Sequence, residues 1–211
     1  MNTRNTRTRG VNDPAGLRAR ILDAAAERFQ SRGYNATSMQ DIILAAAATG
    51  GATYHHFPTK KALGIAVILE RVGPAVEETW VEPMRSARST LDGVLTVFAD
   101  VIASLDHRQL VSGCQTSNLA IELALADEDF RTALHGVFER WRAAIADRIR
   151  AEQATGALDD TDPDELATLV VASYSGAMAI AKAAQDSAPL KSCALQLARL
   201  MARRRPTVRR G

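Results

Sequence analysis

Residues 37–63 read TSMQDIILAAAATGGATYHHFPTKKAL. Thr37 is an N-cap type, and Gln40 three positions on completes a capping box. Met39, Ile42 and Ile43 then recur at helical spacing. Alanines 45–48 keep the run helix-competent but small, so another helix can approach closely. Thr49 is the next N-cap, Gly50 and Gly51 form the first turn behind it, and Tyr54 and Phe57 point back toward a core. Pro58 stops this second helix, because the residue before a proline avoids the helical region. Thr59 caps a third. A helix, a short turn, a second short helix and the start of a third is the spacing of a helix-turn-helix DNA reader.

Lys60 and Lys61 occupy the first two positions of that third helix. A cation at a helix N-terminus has the wrong sign for the macrodipole and costs roughly 0.3–1 kcal/mol. Two in succession are either solvated surface lysines or partners of an anion. Beside the helix pair, a DNA phosphate held jointly by lysine and backbone N–H groups is the favoured reading.

Upstream, residues 1–13 form a basic, Thr-rich arm in which Arg4, Arg7 and Arg9 either reach DNA or are inert. Pro14 opens helix 1, whose buried stripe is Leu17, Ile21, Ala25 and Phe29; Gly33 closes it. The start of this helix is placed to touch the DNA backbone through Arg18 or Arg20. The chain of 211 residues has a formal net charge of +2, but the charge is uneven. Residues 1–64 carry nine Lys/Arg against four Asp/Glu, residues 65–198 eleven against twenty, and residues 199–211 six arginines and no acid. A basic front on an acidic body suits a protein that meets nucleic acid with one end.

The pattern resembles the DNA-binding domain of TetR-type transcriptional repressors. The resemblance rests on Arg20-Ile21-Leu22-Asp23-Ala24-Ala25, Phe29, Gly33-Tyr34, Thr37-Ser38-Met39, Asp41-Ile42, Gly51-Ala52, Tyr54, His56-Phe57, Lys60 and Leu63. Three positions depart from it: Ala47 stands where the family usually has Gly, Gly50 where it has a larger polar residue, and Thr53 where it has Leu or Ile. Gly enters left-handed space without strain and Ala does not. Gly50 removes a common base-contacting side chain, and Thr53 is expected to be less buried than its counterpart. The resemblance implies an all-α fold, with a three-helix helix-turn-helix domain at 14–63 and a helical ligand-binding and dimerisation domain at 64–202. A basic tail follows at 203–211. The DNA-contacting set it implies is Thr37, Ser38, Thr49, Gly50, Gly51, Ala52, Thr53, Tyr54, His55 and Lys60. Of these, Ala52, Thr53 and His55 face base edges, while Thr49, Tyr54 and Lys60 hold phosphates.

Beyond residue 63 the period is helical throughout. Helix 4 is expected to be interrupted near Gly73-Pro74. Helix 5 carries Leu91 to Leu105, and helix 6 runs from Thr116 to Leu125. Asp127 caps helix 7, which Gly156 ends. Asp162 caps helix 8, and Pro189 opens helix 9. Helix 8 presents Ala172, Gly176, Ala179 and Ala183 on one smooth face, and helix 9 offers Leu190, Ala194, Leu197 and Met201. These are either half of a four-helix homodimer interface, the arrangement typical of the family, or an ordinary intrachain contact. The segment from Gly113-Cys114 through Asn118-Leu119-Ala120 and Glu122-Leu123-Ala124, with Tyr174-Ser175-Gly176, is similar to the C-terminal domain of the LmrA/YxaF-like branch. That implies a small-molecule effector, hydrophobic or aromatic. Trp80, Met84, Phe98, Trp141, Tyr174 and Met178 are the candidate cavity wall, with Asn118 and Glu122 one turn apart as polar anchors. Aromatic and Met residues at helical spacing are, however, usually plain core.

Cys114 and Cys193 lie far apart, no Cys/His spacing suggests a metal site, and no motif calls for a cofactor. No N-terminal apolar run resembles a signal peptide, and no apolar stretch is taken to reach the ~20 residues of a membrane span. A cytoplasmic protein without a membrane partner, with reduced thiols, is expected. The reading is a repressor that leaves a palindromic double-stranded operator when its ligand binds. An effector-independent DNA-binding protein or an activator is the alternative. An all-helical enzyme is remote, since no paired carboxylates, nucleophile–base set or phosphate loop is present.

Overall fold

The computed structural model describes residues 14–108, 110–158 and 161–202. The basic arm at 1–13 and the basic tail at 203–211 lie outside them. The described residues form nine helices and no strand, the expected all-α architecture. The first three are α1 (Pro14–Arg32), α2 (Met39–Ala45) and α3 (Gly50–His56). A long α4 occupies 60–86, and α5 (Thr90–Arg108) and α6 (Gln115–Leu123) follow. The last three are α7 (Glu128–Ala154), α8 (Pro163–Ala184) and α9 (Ala188–Ala202).

Two apolar cores hold these helices. One gathers Trp80, Met84, Phe98, Trp141, Tyr174 and Met178 among α4, α5, α7, α8 and α9. The other is built on α1, α2 and α4 through Ile21, Phe29, Tyr34, Ile42 and Leu63, and it continues into α6 and α7 through Leu119, Leu123, Phe130 and Leu134. Gly64 lets α4 into this second core. A Cβ there would lie 2.7 Å from Tyr34 Cε2 and 2.9 Å from the Phe130 ring. Tyr34 and Phe130 themselves meet edge to face at 5.1 Å.

The interruption expected near Gly73-Pro74 does not occur, and α4 continues through it. It starts as Lys60–Val67, widens into a π turn at Ile68–Val72, passes Gly73–Val76, widens again at Glu77–Val81 and ends as Glu82–Ser86. In each wide turn the residue just before a proline donates five residues back: Gly73 to the Ile68 carbonyl and Glu82 to the Glu77 carbonyl. Proline lacks the N–H that an α turn needs and crowds the carbonyl four residues behind it. A π turn ahead of Pro74 and Pro83 relieves both problems without ending the helix.

α8 corrects a second expectation, because by length and composition its 22 residues are apolar enough to cross a membrane. Its buried side packs Val170, Tyr174, Ala177 and Ala181 into the core it shares with α7 and α9, as a core helix of a globular fold does. Gln185 ends it in the left-handed region at φ 52°. Its side-chain amide accepts from Val111 N at 3.2 Å and donates to Val111 O at 3.0 Å and Lys182 O at 2.7 Å. The helix end is thereby tied to the segment before α6.

Candidate nucleic-acid interface and effector cleft

α2 starts one residue later than its sequence suggested. Ser38, not Thr37, is the N-cap. Its hydroxyl oxygen accepts from Asp41 N at 3.1 Å, and Asp41 Oδ2 accepts from Ser38 N at 2.8 Å, which makes the capping box Ser38–Asp41 and leaves Gln40 out of it. The Ser38 hydroxyl also donates to that carboxylate, which holds the Asp41 carboxyl below its ordinary range. Thr37 is wholly buried, its hydroxyl donating to the carbonyls of Gly33 (2.8 Å) and Arg28 (3.3 Å). It braces the end of α1 and presents nothing to DNA.

The turn between α2 and α3 is a Schellman motif. Ala48 N donates to Ile43 O at 3.0 Å and Ala47 N to Leu44 O at 3.2 Å. Its left-handed position is Ala47, at φ 49°. The turn of the motif is therefore made without the usual glycine. Thr49 caps α3, accepting from Ala52 N at 3.3 Å. Thr53 is fully buried, and its hydroxyl donates back to Thr49 O at 3.0 Å. Satisfying its only polar group internally lets it occupy the apolar counterpart's place, so it is neither less buried nor turned to base edges. Tyr54 is 50% exposed and does not point to the core, whereas Phe57 is buried. Thr49, Gly51, Tyr54 and His55 are exposed on α3 and its cap, and Gly50 and Ala52 are half-buried.

The two lysines differ. Lys61 Nζ lies 2.6 Å from Asp127 Oδ2 and 2.7 Å from Asp129 Oδ2, at the start of α7. These partners raise the Lys61 pKa and hold the Asp127 carboxyl low. The anion that Lys61 answers is therefore within the chain. Lys60 Nζ sits 4.3 Å from the centroid of the Tyr34 ring and 3.4 Å from Asn35 O. Partial burial lowers its pKa. Arg18 is occupied as well, in a bidentate pair with Glu70 at 2.6 Å for each contact.

Glu122, expected as a ligand anchor, belongs to the head instead. Its carboxylate accepts from Tyr34 N at 2.9 Å and Asn35 N at 2.6 Å. Gly33, at φ 90°, turns the chain so that both amides face α6. Three further bonds join α1 to the α6 region. Gln30 Nε2 donates to Gly113 O at 2.8 Å and Ser112 O at 3.2 Å, and Gln115 Nε2 donates to Ala26 O at 3.1 Å. Asn118 also serves this joint, donating to Ser112 O at 2.9 Å and to Gln30 Oε1 at 3.4 Å, while it lines a groove of about 500 Å³ along α8.

Six of the expected cavity residues form one aromatic and Met cluster. Trp80 lies 5.0 Å from both Trp141 and Tyr174, and Phe98 lies 5.5 Å from Tyr174, centroid to centroid. Only Trp80, Trp141 and Tyr174 reach a cleft of about 340 Å³, which Gln30, Arg108 and the first turn of α6 also line. Phe98 and Met178 pack behind it, and Met84 borders a different hollow. Burial pushes the Tyr174 phenol up, so it stays protonated. Among the described residues the buried Trp141 Nε1 has no hydrogen-bond partner.

Ala172, Gly176, Ala179 and Ala183 are all exposed on α8, and a Cβ at Gly176 would meet nothing within 4 Å. The α9 residues behave otherwise. Leu190, Leu197 and Met201 are buried and Ala194 is partly buried, all on the side of α9 that packs against α5 and α8. An amphipathic helix has one apolar stripe, and here it is spent on the chain's own core. Sequence reasoning missed the exposed apolar residues Leu169, Ile180 and Leu195, which fall outside both stripes.

Comparison with known proteins agrees with this geometry. Residues 21–67 match the family described as bacterial regulatory proteins, tetR family, and residues 90–196 match the C-terminal domain of LmrA/YxaF-like transcriptional regulators. The chain is 30% identical to the HTH-type transcriptional repressor DhaR of Mycobacterium sp. (strain GP1), over 82% of this chain and 86% of that protein. It is 26% identical to the HTH-type transcriptional regulator LmrA of Bacillus subtilis (strain 168), over 82% and 90% respectively. The crystal structure of regulatory protein TetR from Rhodobacter sphaeroides superposes with a TM-score of 0.79 at 28% identity, covering 87% of this chain and 97% of that one.

Proposed function

The chain belongs to the TetR family of DNA-binding transcriptional regulators, and from that premise we propose that it is a cytoplasmic homodimeric repressor released from a palindromic operator by a small molecule in the Trp80–Trp141–Tyr174 cleft. The observation that carries this reading is the position of α6. Its first turn walls the cleft, while Gln30, Gln115 and Glu122 tie the same region to α1 and to the amides of Tyr34 and Asn35. A ligand that favours another position of α6 acts on the head through those bonds. A coupling of ~1–3 kcal/mol between the two sites changes operator occupancy several-fold or more.

Each head lays α3 into a major groove. Gly50, Gly51, Ala52 and His55 approach the bases; Ser38, Thr49, Tyr54 and Lys60 hold the backbone. With Gly50 and Ala52 so small, backbone approach and contact with thymine methyls carry much of the readout. The two heads are joined through the small-residue face of α8, flanked by Leu169 and Ile180, so that they meet half-sites about one helical turn apart, ~34–36 Å.

Titration of the full chain against its own upstream DNA at several salt concentrations tests this. Palindrome-specific binding whose affinity falls with salt is expected, and its absence would sink the regulator reading. Lys60→Ala should lower the slope of log K against log[salt] by about 0.9, one phosphate contact. Lys61→Ala should leave the slope unchanged, because its charge is spent on Asp127 and Asp129.

A further inference from the structure

The Trp80–Trp141–Tyr174 cleft differs in charge from every other hollow described on this protein. Residues 65–198 have nine more acidic than basic side chains. Four other hollows each carry at least one carboxylate, such as Glu77, Glu139, Asp147 or Glu152. This cleft has none, and its one charged lining residue is Arg108. Arg108 is exposed and makes no ion pair among the described residues. The α6 N-terminus faces the same space through Cys114, Gln115 and Thr116, and Cys114 gives that terminus no side-chain cap. Uncapped first-turn amides favour an anion. Trp80 and Trp141, each 1% exposed, put two indoles in the wall of the same cleft.

We infer that the cleft takes a small planar aromatic carboxylate, its ring against the indoles and its charge toward Arg108 and the start of α6. The volume of about 340 Å³ is near the lower end for ligand sites and suits one or two rings. The inference rests on reading this cleft as the effector site, and it names the chemistry of the effector.

Trp80 and Trp141 are the only two tryptophans in the sequence, so intrinsic fluorescence reports on this cleft directly. The full chain is titrated with benzoate, benzamide and benzylamine, which share a ring and differ in charge. Benzoate should give a saturable change at least tenfold tighter than benzamide, and benzylamine should not saturate. Arg108→Gln should weaken benzoate at least tenfold and leave benzamide as it was. No saturable benzoate binding, equal binding of the three probes, or benzoate binding indifferent to Arg108→Gln overturns the inference. The same titrations repeated on the protein–DNA complex separate it from the reading beneath it. Benzoate that binds with the expected selectivity but leaves DNA affinity unchanged upholds the anion site and removes its role as effector site. A neutral or cationic probe that binds as tightly as benzoate and releases DNA does the reverse.

Discussion

Replacing Ala47 by glycine should make this protein more stable, although the substitution removes a side chain and adds no contact. Ala47 holds φ 49° in the turn between the two reading helices and is exposed there. An L-residue in left-handed space costs ~1–2 kcal/mol, because its Cβ crowds the following carbonyl oxygen. Glycine removes that strain but loosens the unfolded chain, which takes back ~0.4–1 kcal/mol. The difference is a gain of about 0.5–1 kcal/mol. For a chain of this size that is ~1–4 °C in Tm, read by calorimetry at fixed protein concentration. Gln185→Gly is the matched control. Gln185 sits at nearly the same φ, 52°, so the same strain is released. Its side chain, however, makes three hydrogen bonds, two of them to Val111. At ~0.5–1.5 kcal/mol each, their loss outweighs the relief, and Tm should fall. An unchanged or lower Tm for Ala47→Gly, or a higher one for Gln185→Gly, would refute the reasoning.

Three other outcomes follow from geometry already described. Glu122→Gln replaces a carboxylate that accepts from two amides by a group with one acceptor oxygen, so hydrogen exchange at Tyr34 and Asn35 should quicken, with distant amides unaffected. Gly64→Ala drives a methyl into the Tyr34 and Phe130 rings and should destabilise by about 1–3 kcal/mol in urea unfolding; a neutral result would mean that the rings move freely. Asp127 is held low first by Lys61 and then by the amides of Asp129 and Phe130. A depressed carboxyl stabilises the fold in full above its unfolded value, ordinarily 3.8, and that contribution is lost as pH falls through the folded value. The urea midpoint should therefore drop as pH is taken from 5 to 3, and drop less in Asp127→Asn.

Local chemistry was easier to read from the sequence than direction or distance. Thr49, Thr59, Asp127 and Asp162 are N-caps as expected, since a cap is a contest decided within four residues. Where two cap patterns overlap by one residue, Thr37–Gln40 and Ser38–Asp41, burial chooses between them, and burial is a property of the whole fold. The prolines of α4 were visible, but whether a helix breaks or widens at proline depends on the neighbours that hold it. The apolar stripe of α9 was legible as a period, which says that one face is buried and not against what. Lys61 illustrates the last kind of gap. Its partners are more than sixty residues away, so a charge that looked prepared for DNA is neutralised by the body. The cleft followed the same rule: its aromatic residues stood out by type, while the sequence did not indicate which of them open to it or that Arg108 joins them.

The core shared by the reading head and the body sets limits on exchange of parts. Phe29, Tyr34 and Leu63 are packed against Leu119, Leu123, Phe130 and Leu134. A graft of residues 14–63 from a relative would bring its own version of one half of this surface and meet the native version of the other. Working chimaeras between this regulator and its kin should then require α6 and the first half of α7 to travel with the head, so the natural seam for recombination lies within the body and not at the end of the DNA-reading motif.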